Sequence, residues 1–125
     1  MKISSFNLNT IELKSFIPAK DFQTSLAFYT ALGFEILWQE EQLCLFALGQ
    51  TKFFLQNLYT KEWVENTMLH LQVENADAWH THIKELKLHH TFTFTLTDPE
   101  DRAWNMRDFV LIDPSGVLWR IAHNI

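Results

Sequence analysis

A few polar side chains stand inside apolar, strand-like runs, where they could act on a bound molecule. They are Glu12 and Lys14 in I-E-L-K-S-F-I-P, Gln56 in K-F-F-L-Q-N, His70 in M-L-H-L-Q-V and Arg120 in V-L-W-R-I-A. Arg120 offers a planar fork of N–H donors that grips carboxylates or carbonyls and cannot hold a cation. His70 can move a proton near neutral pH or ligate a metal. Glu12, His70 and Gln56 together would make an oxygen and nitrogen donor set for a divalent ion. Lys14 adds a second positive charge on the side of its strand shared with Glu12 and Phe16, unless Glu12 and Lys14 form a solvated edge.

Alternation along each strand sets which way these groups point. Val117, Trp119 and Ile121 share one side of the last strand, while Leu118, Arg120 and Ala122 share the other. The bulkier set belongs to the core, so Arg120 faces away from it. A guanidinium there needs a carboxylate, a carbonyl or an anionic ligand. Glu12 is an internal candidate, as partner of Arg120 or of Lys14. Met68 and His70 share a strand side, although a lone strand histidine is more often a structural hydrogen-bonder.

Aromatic residues are abundant, with 11 Phe and 5 Trp, enough to fill a core and still line a pocket. Trp38, Phe46, Phe54, Trp63 and Trp104 are candidates for walls around a flat ligand. Trp79 and Trp119 read as core. No nucleophile arrangement is present, and 3 Gly are too few for a phosphate-cradling loop. The remaining histidines, His80, His82, His89, His90 and His123, share no common face and carry no assigned role.

These residues must be positioned by a repeated unit. Ile11 to Pro18 predicts a strand; Asp21 then caps a helix with Phe22, Ser25, Leu26, Tyr29 and Leu32 on one stripe, and Gly33 ends it. Strands are predicted at Phe34 to Glu40, Leu43 to Leu48 and Lys52 to Asn57. In the second half, Met68 to Val73 reads as a strand, and Asn75 caps a helix running to about Leu86. Strands at Thr91 to Leu96, Met106 to Ile112 and Val117 to Ala122 follow. Laying Asp21 on Asn75 superposes Phe22 on Ala76, Ser25 on Trp79, Tyr29 on Ile83 and Leu32 on Leu86. The expectation is one domain over residues 1–125, made of βαβββ modules at 11–57 and 67–123 joined by a linker at 58–66. Asp98 to Asn105 is the other notable loop, and D-P-S-G, Asp113 to Gly116, is a structural turn.

Hydrophobic residues at 47% and charged residues at 20% predict a folded globule. A net charge of −5, with Lys and Arg scattered, argues against a nucleic-acid partner. No apolar run approaches the ~20 residues needed to span a bilayer. Cys44 is the single cysteine, set in an apolar run, so neither a disulfide within the chain nor a cysteine zinc site is expected. The N-terminus lacks a secretory pattern, and a cytoplasmic location is expected.

The stretch S-L-A-F-Y-T-A-L-G-F, Ser25 to Phe34, resembles the first-helix signature of the vicinal oxygen chelate superfamily, which includes glyoxalase I, extradiol dioxygenases and bleomycin-resistance proteins. V-E-N-A-D-A-W, Val73 to Trp79, is similar to the family's second helix start. W-N-M-R-D-F-V-L-I-D-P-S-G-V-L-W-R-I, Trp104 to Ile121, resembles the closing segment of the bleomycin-resistance-like branch. The resemblance implies an α+β fold of two tandem βαβββ modules whose mixed, curved sheets enclose a shared cleft. It places the family's metal-ligand positions on Lys14, on Met68, near Phe54 to Gln56, and on Arg120. Lys and Arg cannot coordinate a cation, and a thioether is a poor ligand for hard metals.

The resemblance thus implies a metal-free, cofactor-free binder, in homodimers, that sequesters an aromatic or heterocyclic small molecule. Arg120, His70, Met68, Lys14, Phe16, Trp38, Phe46, Phe54, Gln56, Trp63 and Trp104 are its candidate ligand-binding residues. The alternative is a metal-dependent lyase, isomerase or dioxygenase with Glu12, His70 and Gln56 as a rearranged ligand set. A third reading is an interaction protein whose cleft is closed by side chains.

Overall fold

The computed structural model describes residues 5–125. The first half is built of β1 (Ser15–Pro18), α1 (Phe22–Leu32), β2 (Glu35–Gln39), β3 (Leu43–Leu48) and β4 (Thr51–Gln56). A short helix, α2 (Lys61–Glu65), leads into β5 (Met68–Gln72) and α3 (Ala76–Glu85). The chain closes with β6 (Thr95–Leu96), β7 (Glu100–Asp101), β8 (Met106–Ile112) and β9 (Leu118–Asn124). This is the α+β architecture of two mixed sheets that the resemblance implies.

The repeat extends to capping and to strand order. The Asp21 side chain accepts from the Thr24 N–H at 3.1 Å, and Asn75 accepts from the Ala78 N–H at 2.9 Å, the same cap in both modules. Each such cap is worth about 1 kcal/mol. Gly33 leaves α1 in the left-handed region at φ 114°, and Lys87, its counterpart after α3, does so at φ 53°. Glycine bears that conformation without cost, whereas a lysine carries steric strain there. The first sheet runs β1-β4-β3-β2 and the second β5-β9-β8-β6, with β7 also on β8. In each, the strand before the helix pairs parallel with the last strand of its module.

The helix-covered sides of the two sheets meet in one core. Tyr29 lies among Phe34, Phe46, Phe53 and Trp119, its ring centroid 5.0 Å from Phe53 and 5.7 Å from Trp119. The Tyr29 hydroxyl donates to Asp113 Oδ2 at 2.5 Å and accepts from Trp119 Nε1 at 2.8 Å, joining the modules through a buried polar chain. Burial and the neighbouring Asp113 hold the Tyr29 phenol far above its ordinary pKa. Asp113 Oδ1 accepts from the backbone N–H groups of Ser115, Gly116 and Val117, each at 2.9 Å, which is why the D-P-S-G turn closes as it does. Burial raises the Asp113 carboxyl pKa, opposed by these hydrogen bonds.

Several expectations are corrected. β1 starts at Ser15; before it Ile11 and Leu13 lie 96% and 95% exposed. The linker carries α2, capped by the Thr60 hydroxyl accepting from the Trp63 N–H. Of the predicted strand Thr91 to Leu96 only Thr95 and Leu96 pair, because Phe92 and Phe94 turn back onto Phe28. The Asp98 to Asn105 loop contains β7, paired to β8. Among the described residues no helix is long and apolar enough to cross a membrane.

Candidate functional site

Each sheet keeps one face free of its helix, and Phe16, Trp38, Phe54, Gln56, Met68, His70 and Arg120 fall on these open faces. On the first sheet the register sets Phe16 beside Phe54, Phe54 beside Leu45, and Leu45 beside Trp38. An apolar row therefore crosses all of its strands. Phe16 and Phe54 stack with centroids 4.6 Å apart, while Phe16 and Trp38 each stay 46% exposed. Gln56 ends the same side of β4, beside Leu43 and Pro18.

On the second sheet the corresponding row is polar. His70 pairs in register with Arg120, and Arg120 with Val110. When Asp21 is laid on Asn75, Phe16 falls on His70 and Lys14 on Met68, so the rows are counterparts in the repeat. Met68 flanks His70 and is 59% exposed. Val117, Trp119 and Ile121 fill the core, so Arg120 lies on the open side as its alternation predicts.

Its guanidinium is not unpartnered. Arg120 Nη1 lies 3.2 Å from both carboxylate oxygens of Asp108, a fully buried residue of β8. Arg102 donates from Nε to Asp108 Oδ1 at 2.9 Å, and its Nη1 reaches Glu100 at 3.0 Å. Two guanidiniums thus share one buried carboxylate. Asp108 engages Arg120 through Nη1 alone, and a guanidinium carries five N–H donors. Sequence reasoning missed Asp108 and Arg102. The signal was available: a hairpin closed at Asp113 to Val117 puts Asp108 diagonal to Arg120 on one face.

Glu12 pairs with Lys14 at 2.7 Å and with Lys52 at 3.0 Å, rather than with Arg120. Hydrogen bonds from Lys14 and then Lys52 lower its carboxyl pKa below the ordinary value. Phe46 is corrected as a pocket candidate. It is fully buried on the helix side of β3, among Tyr29, Phe34 and Phe53, in a run too uniformly apolar to reveal its facing. Trp63 is partly buried on α2, and Trp104 is exposed in the loop before β8; neither lies in the two rows.

A cavity of about 310 Å³ opens between the modules. Its lining includes Phe34, Phe53, Leu69, Leu71 and Trp119, with Glu12, Lys52 and His70 among its polar groups. Of the alternative metal-ligand set it brings Glu12 and His70 together, without Gln56. Among the described residues no three His, Cys, Asp or Glu side chains gather as a metal site requires. Both Glu12 oxygens are already held by ammonium groups.

Solved structures share this architecture. A bleomycin-binding protein complexed with bleomycin superposes with a TM-score of 0.80 at 21% identity, over 93% of this chain and 100% of that one. The bleomycin-binding protein of Streptomyces verticillus, complexed with copper(II)-bleomycin, gives 0.77 at 16% identity, over 95% and 100%. Lactoylglutathione lyase from Agrobacterium tumefaciens gives 0.71 at 14% identity, over 94% and 96%. A search among curated proteins returns no match. The family model for the glyoxalase/bleomycin resistance protein/dioxygenase superfamily matches residues 7–121, and the chain belongs to that superfamily.

Proposed function

We propose that the protein captures a small molecule without turning it over, and that its ligand joins a flat apolar body to an acidic or carbonyl group. The observation that carries this reading is Arg120, set beside His70 on an open sheet face with donors beyond those spent on Asp108. The apolar row of Phe16, Phe54 and Trp38 on the counterpart face suits the body of such a ligand by stacking. Lys14, Met68 and Gln56 complete the candidate surroundings, and Trp63 and Trp104, outside the two rows, are candidates to cover the pocket mouth.

The reading includes a homodimer. Two sheets that turn their helix-covered sides to each other leave both rows outward, so a pocket using both needs a second copy. Exposed Phe16, Trp38, Met68, Ile11 and Leu13 support this, since large apolar side chains left in solvent gain by burial against a second copy. A cytoplasmic location suits a chain whose single cysteine is buried and unpaired. The site is read as metal-free because Lys14, Met68 and Arg120 stand where the family's ligands would.

The rival is a metal-dependent enzyme using Glu12, His70 and Gln56, favoured by the meeting of Glu12 and His70 at one cavity. A thermal-shift and calorimetric panel of aromatic carboxylates and bleomycin, repeated on Arg120→Ala, tests the first reading. Loss of a charge-assisted pair should weaken an acidic ligand about 10- to 100-fold. Undiminished movement of the Phe54 and Trp38 resonances by the same ligand in the variant removes Arg120 from the site, because neither residue lines the cavity between the modules.

A further inference from the structure

The cavity between the modules differs in chemistry from both open faces. Its floor is the aromatic and aliphatic core itself: Phe34 and Phe53 from the first module, Leu69, Leu71 and Trp119 from the second. Its volume, about 310 Å³, lies at the lower end of the ~300–1,000 Å³ range of small-molecule sites. Apolar walls of this kind hold water poorly and gain by exchanging it for a hydrocarbon body.

The rim carries a surplus positive charge. Lys52, which lines the cavity, reaches Glu12 Oε2 at 3.0 Å, while Lys14 holds Glu12 Oε1 at 2.7 Å. Two ammonium groups thus share one carboxylate, and the Lys52 ammonium keeps donors beyond the one spent on Glu12. Gln50 and Thr51 add neutral polar groups beside it. A neutral apolar guest would leave that charge unanswered; a guest with one carboxylate balances it.

We propose that this cavity is a second binding site, for a small monocarboxylate with a phenyl or short alkyl body. The body rests on Phe53, Leu71 and Trp119, and the carboxylate meets Lys52 at the rim. The site stands apart from the Arg120 row, with which it shares only His70. Because the guest touches both modules, its binding stabilises their packing and raises the unfolding midpoint by mass action.

The test uses the full chain with 3-phenylpropanoate as probe and 3-phenylpropanol as its uncharged counterpart, read by heteronuclear NMR and thermal shift. A ligand this small should bind with a dissociation constant of about 0.1–1 mM. It should move the Leu69, Leu71 and Trp119 side-chain resonances. Lys52→Met should weaken the acid about tenfold at low salt and leave the alcohol unchanged. Leu69→Phe, which fills the cavity, should abolish both; where that variant does not fold, the Lys52→Met pair of measurements stands alone. Arg120→Ala should leave acid binding at the cavity intact, which separates this site from the proposed one. No movement of those resonances up to about 10 mM overturns the proposal, as does equal weakening of acid and alcohol by Lys52→Met.

Discussion

Asp108 is fully buried and presents both carboxylate oxygens to a single nitrogen of Arg120, at 3.2 Å each, while Arg102 approaches the same carboxylate from the loop before β8. The cation on the open face is therefore fixed by the fold before any ligand arrives. Such preorganisation limits the side-chain entropy that Arg120 would lose on gripping an acidic group.

Removing the carboxylate should be worse than removing either cation. Asp108→Ala leaves two guanidiniums without their shared partner and should cost roughly 2–3 kcal/mol, less than a fully buried pair because both arginines can turn toward solvent. Arg120→Ala leaves Asp108 still held by Arg102 and should cost about 1–2 kcal/mol. Urea unfolding of the two variants checks the order.

Tyr29→Phe removes the hydroxyl that bridges Asp113 and Trp119. It strands a buried indole N–H and a buried carboxylate oxygen, so the loss should be about 1–3 kcal/mol. The unfolding midpoint is the readout, and a change within error would mean that water replaces the bridge.

Cys44 lies in the core of β3, and burial pushes its thiol pKa up to about 11. The folded protein should resist Ellman's reagent at about pH 8, where exposed cysteines react readily, and should release one equivalent of thiol on denaturation.

Glu12 offers a pH test. Its pKa is lowered in the fold by Lys14 and Lys52, so its contribution to stability is present above the ordinary carboxylate range and lost as acid carries the pH down through the lowered midpoint. A carboxyl-detected NMR titration should show that lowered midpoint. Lys14→Ala or Lys52→Ala should raise it, and added salt should do so in part.

Much of this arrangement was legible in the residues because a repeat gives two chances to read each feature. Asp21 and Asn75 declare the helix starts, and the bulk of Val117, Trp119 and Ile121 orients Arg120. What escaped lacks periodicity. α2 is too short to show a helical stripe, although Thr60 signals its cap. The alternation of Thr91 to Leu96 comes from Phe92 and Phe94 packing on Phe28, not from a strand ladder. Phe46 could not be told from its neighbours in L-C-L-F-A-L, and Asp108 emerges only once the hairpin register is drawn.

The central proposal is that Arg120 takes a position that the resemblance assigns to a metal ligand, so that the protein would grip an acidic guest and no divalent ion. Elemental analysis of the purified full chain after exhaustive dialysis, without chelator, tests it most directly. The account predicts no stoichiometric Zn, Ni, Mn or Fe. One retained equivalent that disappears in His70→Ala would contradict it.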